Sequence, residues 1–70
     1  MKQSPLQNNI HSFRTTAGLT QASLAEAVGV TRQTIISIEK GNYEPSVRLA
    51  LRLSNTLGVT VEELFYETIN

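Results

Sequence analysis

The sequence of 70 residues contains no cysteine and no tryptophan, and it has a single histidine. Without cysteine there is neither a disulfide nor a thiolate metal site, and one histidine cannot hold a metal ion by itself. No apolar run approaches the ~20 residues that span a bilayer, and residues 1–5 do not lead into the apolar stretch of a signal peptide. We therefore expect a cytoplasmic protein with no membrane contact, no metal and no other cofactor.

The chain also has no net charge, because six basic and six acidic residues cancel. Their distribution along the sequence is uneven. Residues 1–55 hold all six bases and three acids, a formal charge of +3, whereas residues 56–70 hold three acids and no base, a formal charge of −3. A neutral total can therefore conceal a locally basic surface that suits nucleic acid.

Four glycines separate apolar stretches of helical period, a pattern typical of helices that end at glycine. Asparagine, threonine or serine precedes each stretch and can cap a helix N-terminus. We predict five helices, over residues 9–17, 21–28, 32–40, 47–57 and 61–65. The apolar tail over 65–69 also fits a short strand that pairs with a strand near 5–7. The sequence thus predicts one compact all-α domain over 1–70, with two short terminal strands as an option.

Residues 20–41 carry the most informative pattern. Two short helices, preceded by Thr20 and Thr31, are separated by a tight turn. Helices joined so closely cross at a steep angle. Ala25 is small enough to allow the close approach, and Gly29 tolerates a positive φ in the turn. The pattern predicts a helix-turn-helix that binds DNA.

The third predicted helix, over 32–40, turns Ile35 and Ile38 inward and leaves its other face to be explained. That face carries Arg32, Gln33, Ile36, Ser37 and Lys40. Arginine fits the guanine edge, glutamine pairs with adenine, and an exposed aliphatic side chain suits a thymine methyl. We predict that all but the lysine read bases in the major groove. The alternatives are a solvated first turn for Arg32 and Gln33, and the edge of the core for Ile36.

Helix N-termini hold phosphates well because they carry free amides and partial positive charge. The second and third predicted helices both begin beside the base-reading face. We predict that Gln21, the first residue of the second helix, contacts a backbone phosphate. Further predicted phosphate contacts are Thr31, Thr34, Lys40 and Asn42. Such contacts set the register on DNA, whereas base contacts specify the sequence.

With Arg14 before it and residues 43–46 after it, the 20–41 segment resembles the Cro/lambda-repressor-like helix-turn-helix family, also called the xenobiotic-response-element family. The resemblance covers residues 8–66 and implies a five-helix fold that binds an operator as a homodimer. It implies phosphate contact by Gln21 and base reading by Arg32, Gln33 and Ser37. It also implies an ion pair between Arg14 and Glu39, from which Arg14 would approach a phosphate as well.

One departure from the family pattern bears on affinity. Thr15 and Thr16 stand in the first helix at positions where such proteins often carry charges. With few positive groups near the DNA, we expect weak nonspecific affinity and a shallow dependence on salt.

A single helix-turn-helix reads few base pairs, whereas a dimer reads two half-sites about 34 Å apart. We predict the dimer surface in residues 57–70, which are more apolar than one small domain needs. The predicted interface residues are Leu57, Val59, Leu64, Phe65, Tyr66 and Ile69. The alternative is that these residues only cap the core.

We therefore expect a sequence-specific transcriptional regulator, most simply a repressor on a palindromic operator, without a small-molecule ligand. The alternative is a protein-interaction module, such as an antitoxin or adaptor with the same fold. Gln21, Arg32 and Gln33 favour DNA, because an adaptor does not need them. An enzyme is disfavoured, because His11 has no nucleophile or carboxylate partner at useful spacing in the sequence.

Overall fold

The computed structural model describes residues 6–67, which form five helices and a two-stranded antiparallel sheet. The elements are β1 (Leu6–Asn8), α1 (Ile10–Thr16), α2 (Gln21–Val28), α3 (Arg32–Glu39), α4 (Val47–Leu57), α5 (Val61–Leu64) and β2 (Phe65–Glu67). The predicted all-α domain of five helices is confirmed, and the helix ends differ from prediction by one residue at most. None of the helices within residues 6–67 is long and apolar enough to cross a membrane.

The helices begin at the polar residues that the sequence indicated. Thr20, Thr31, Ser46 and Thr60 each accept a hydrogen bond from the backbone amide three residues further on. A cap of this kind stabilises a helix by about 1 kcal/mol. At α1 the arrangement differs: Asn9 is the capping position but its side chain makes no capping bond, and Asn8 Oδ1 accepts from the amide of Ile10 at 3.1 Å.

Glycine ends α2 in a left-handed conformation. Gly29 has φ 78°, and its amide donates back to the carbonyls of Ala25 and Glu26. A residue with a Cβ is strained at this φ. The turn therefore depends on Gly29, and it directs the chain into α3 after two more residues.

The sheet joins the two ends of the described chain. Leu6 pairs with Glu67, and Asn8 pairs with Phe65. The side-chain amide of Asn8 donates to the carbonyl of Ile38 at 2.8 Å. The sheet thus holds the last turn of α3 as well as the chain ends. The optional strands are present, although residue 5 and residues 68–69 of the predicted strands lie outside the described part.

The core lies where all five helices meet. Its buried apolar residues are Ile10, Leu24, Ala25, Val28, Ile35, Ile38, Leu49, Leu53 and Leu64. Full burial of an aliphatic side chain stabilises the fold by about 1.5–3 kcal/mol. Leu64 is among these residues with 0% exposure, so its predicted role in a dimer surface is wrong. It is the buried residue of α5, and its side chain belongs to the core.

Candidate nucleic-acid interface

The core fixes how α3 is presented. Leu24, Ala25 and Val28 of α2 are buried against Ile35 and Ile38 of α3. Ala25, with 2% exposure, is the small residue that the close crossing needs. Because the inner face of α3 is packed along its length, the opposite face is held outward on a rigid support.

The outward face of α3 holds the predicted base-reading residues together. Arg32 and Gln33 are exposed in the first turn of the helix, whereas Ile36 and Ser37 are half-buried in the next turn. The partial burial of Ile36 agrees with the edge-of-core interpretation for part of its side chain. The helical period still brings all four residues to one side of α3.

The exposed charged side chains of α3 and its C-cap are basic. Arg32 and Lys40 are exposed at the two ends of α3, whereas the carboxylate-bearing side chain of Glu39 is only 8% exposed and paired. The acids Glu62, Glu63 and Glu67 are exposed on α5 and β2, outside the helix-turn-helix. The exposed charges at the two ends of α3 itself are therefore both positive.

The start of α3 and the loop after it carry the other predicted phosphate contacts. Thr31 Oγ1 accepts the amide of Thr34 at 3.2 Å, and the two hydroxyl oxygens lie 3.1 Å apart. After α3, the amide of exposed Asn42 donates to the carbonyl of Ser37 at 2.9 Å. These bonds hold Thr31, Thr34 and Asn42 close to the ends of α3.

Arg14 and Glu39 form the ion pair that the resemblance implied. Nε of Arg14 lies 2.7 Å from Oε2 of Glu39, and the two side chains are 9% and 8% exposed. Arg14 Nη1 donates to the carbonyl of Leu19 at 2.9 Å. The guanidinium is thus buried and already bonded within the protein. This geometry does not fit the direct phosphate contact that was predicted for Arg14.

Glu39 is kept ionised by its neighbours. Burial by itself would raise the pKa of this carboxyl, but hydrogen bonds from Arg14 and Gln21, together with the positive charge of Arg14, outweigh it. The pKa of Glu39 consequently lies below its ordinary value of 4.5.

Gln21 contacts the same carboxylate. Its Nε2 donates to Oε1 of Glu39 at 3.1 Å, and the side chain is half-buried. This bond connects the first residue of α2 to the last residue of α3. The predicted phosphate-contacting residue therefore stands at the junction of the two helices.

His11 is the residue of this site that the sequence interpretation missed. Its Nδ1 lies 3.0 Å from Arg14 Nη2 and 3.5 Å from Oε1 of Glu39, and its side chain is 71% exposed. The contact with Arg14 was detectable in principle, because residues three apart on a helix are neighbours. The contact with Glu39 depends on how α1 packs against α3, which spacing does not reveal.

The residues predicted to form the dimer surface differ in how far they are exposed to solvent. Leu57, Val59 and Phe65 are half-buried against the core, Tyr66 is 47% exposed, and Ile69 lies outside the described residues. Larger exposure occurs on α4, where Val47 is 78% and Leu51 is 52% exposed. These two residues lie one helical turn apart and were not predicted.

Known proteins resemble this chain in both sequence and fold. The helix-turn-helix family model matches residues 10–64. An uncharacterized HTH-type transcriptional regulator from Methanocaldococcus jannaschii is 45% identical over 60 residues, which is 86% of this chain and 91% of that protein. Another, from Methanothermobacter thermautotrophicus, is 54% identical over 57 residues, which is 80% of this chain and 83% of that protein.

A solved structure shares the arrangement of the helices. The restriction-modification controller protein C.AhdI from Aeromonas hydrophila superimposes with a TM-score of 0.72 and 30% sequence identity, covering 77% of this chain and 82% of that one. The family match runs from the first residue of α1 to the last residue of α5 and so includes every side chain of the cluster around Glu39.

Proposed function

Because the chain belongs to the Cro/lambda-repressor-like helix-turn-helix family of DNA-binding transcriptional regulators, we propose that it is a repressor that binds a palindromic operator as a homodimer. The observation that carries the proposal is the outward face of α3. It is polar and basic, and it stands on a fully packed inner face. Such a helix can enter the major groove without rearrangement of the core.

Four residues of that face are proposed to read base edges. Exposed Arg32 and Gln33 offer bidentate hydrogen bonds to guanine and adenine. The accessible part of Ile36 contacts a thymine methyl, and Ser37 hydrogen-bonds to a neighbouring base. The α3 backbone orients these side chains, because its buried isoleucines fix the rotation of the helix about its axis.

Phosphate contacts are proposed at both edges of the same face. Gln21 at the start of α2 and Thr31 and Thr34 at the start of α3 lie where free helix amides and partial positive charge attract phosphate. Lys40 and Asn42 take the same role beyond the end of α3, where they are exposed.

A homodimer is supported by the short reach of one recognition helix. Eight residues of α3 cover only one half-site, and a two-fold pair reads two. Of the predicted dimer-interface residues, Tyr66 is exposed, and Leu57, Val59 and Phe65 are partly exposed. Tyr66 is proposed as the centre of the interface, because it combines exposure with aromatic contact area.

The operator proposal is tested by selecting bound duplexes from a random DNA pool. The expected result is an inverted repeat whose half-site centres lie about one helical turn, ~34 Å, apart. The double variant Arg32→Ala, Gln33→Ala is the matched control and should lose the enriched sequence while retaining its fold. Failure to enrich any sequence with the unaltered protein would instead favour an adaptor or antitoxin.

Repression is tested separately, with the selected operator placed across a promoter that drives a reporter. Expression should fall when the unaltered protein is present and recover with the same double variant. A rise in expression would identify an activator and contradict this part of the proposal.

A further inference from the structure

Oε1 of Glu39 is shared by three side chains from two other helices. Gln21 Nε2 lies 3.1 Å from this oxygen, Arg14 Nη2 lies 3.4 Å from it, and His11 Nδ1 lies 3.5 Å from it. The other carboxylate oxygen, Oε2, is held by Arg14 Nε at 2.7 Å. A single oxygen thus links the first turn of α1 to the first residue of α2.

The hydrogen-bond directions identify the state of His11 in this arrangement. Arg14 Nη2, 3.0 Å from Nδ1 of His11, can only donate, so Nδ1 must be the acceptor and the imidazole proton lies on Nε2. In that state Nδ1 and Oε1 of Glu39 face each other as two acceptors. No hydrogen bond can join His11 to Glu39 until Nδ1 gains a proton.

We propose that His11 is a positioning residue for Gln21: protonated Nδ1 of His11 donates to Oε1 of Glu39, displaces the side-chain amide of Gln21 and releases it to donate to a DNA phosphate. This inference rests on the proposed phosphate contact of Gln21. The proton comes from solvent, which reaches His11 because its side chain is 71% exposed. Binding to DNA therefore strengthens as the pH falls.

The charged groups in contact with His11 favour the replacement of Gln21 by His11 at Oε1 of Glu39. Within residues 6–67, the added positive charge meets one like charge, Arg14 on its own helix, and one opposite charge, Glu39 on α3. Arg14 keeps its bonds to Oε2 of Glu39 and to the carbonyl of Leu19, so the ion pair persists when Nη2 loses His11 as one of its two acceptors. Gln21 is the uncharged donor at Oε1, and hydrogen bonds from charged donors are stronger, so its bond at 3.1 Å is the one that protonated His11 replaces.

A change of pH near neutrality tests this side chain selectively, because few other side chains change charge there. Histidine is the side chain whose ordinary charge change falls between pH 5 and 8, and His11 is the sole histidine of the chain. His11→Asn is the matched control. Its side-chain oxygen can still accept from Arg14, but it does not titrate.

The first measurement is fluorescence anisotropy with the selected operator duplex, from pH 7.5 to 5.8 at constant ionic strength. We expect the Kd of the unaltered protein to fall by about tenfold, the effect of gaining one hydrogen bond to a charged group. His11→Asn should match it at pH 7.5 and show no comparable fall. Gln21→Ala should bind more weakly and lose most of the pH response.

The second measurement needs no DNA. In ¹⁵N–¹H spectra of the free protein, the side-chain amide resonances of Gln21 should move with pH in the unaltered protein and stay fixed in His11→Asn. Resonances that stay fixed in both proteins would overturn the inference, and so would equal pH slopes of Kd. If the unaltered protein binds no duplex at any pH, the proposed function fails and this inference with it; if it binds with the slope of His11→Asn, only this inference fails.

Discussion

Arg14 on α1 and Glu39 on α3 form a buried ion pair, with Nε and Oε2 2.7 Å apart and less than a tenth of either side chain exposed. Glu39 of this pair also accepts a hydrogen bond from the side-chain amide of Gln21 at 3.1 Å. The ion pair therefore links the stability of the fold to the position of Gln21, a proposed phosphate contact. Mutations of the pair should affect stability, whereas mutations of Gln21 should affect DNA binding.

Removing one partner of this pair should destabilise the protein strongly. Arg14→Ala leaves the Glu39 carboxylate buried without its main partner, so we expect a loss of about 3–5 kcal/mol in the free energy of unfolding. Urea denaturation followed by circular dichroism measures it. Exposed Arg48 on α4 is the matched control, and Arg48→Ala should change stability by less than about 0.5 kcal/mol. Equal losses in the two variants would contradict a structural role for the pair.

Acid should destabilise the protein through Glu39. Because the folded pKa of Glu39 lies below its ordinary value of 4.5, the folded state favours the ionised form. The resulting stability is fully present above the ordinary pKa and is lost as the pH falls through the folded one. Unfolding titrations from pH 6 downward should show this loss, and Glu39→Gln should show a smaller one. A parallel decline in the two proteins would rule out Glu39 as its source.

Base-reading and phosphate-contacting residues should respond differently to truncation. Arg32→Ala or Gln33→Ala should weaken operator binding by about 1–3 kcal/mol and relax preference at one base position. Gln21→Ala should weaken binding to all sequences alike. Binding to a panel of single-base operator variants measures the difference. An Arg32→Ala protein that loses affinity uniformly would remove Arg32 from the base-reading set.

Burial separates two residues that the sequence grouped in one dimer surface. Leu64→Asp would put a charge in the core, so we expect it to unfold the protein rather than to yield monomers. Tyr66→Asp, at an exposed position, should keep the fold and halve the mass in sedimentation equilibrium. Leu51→Asp on α4 is the control and should remain dimeric. Monomers from Leu51→Asp, with dimers from Tyr66→Asp, would move the interface to α4.

Local features of the fold were predictable because they depend on neighbouring residues. Thr20 and Thr31 begin their helices as hydrogen-bond acceptors, and Gly29 ends α2 at a positive φ that its missing Cβ allows. The inward direction of Ile35 and Ile38 follows from helical period alone. Together these signals determined the helix-turn-helix and the composition of its outer face.

The tertiary structure decided which side chains remain accessible and which share a partner. Apolar character did not distinguish buried Leu64 from exposed Tyr66, because it carries no information on the direction in which α5 and β2 pack. The contact of His11 with Glu39 was likewise hidden, since it arises only when α1 lies against α3. The sequence by itself determined the motif and its candidate DNA face, through interactions within a turn or two of helix. Long-range packing determined that Glu39 joins His11, Arg14 and Gln21 beneath that face.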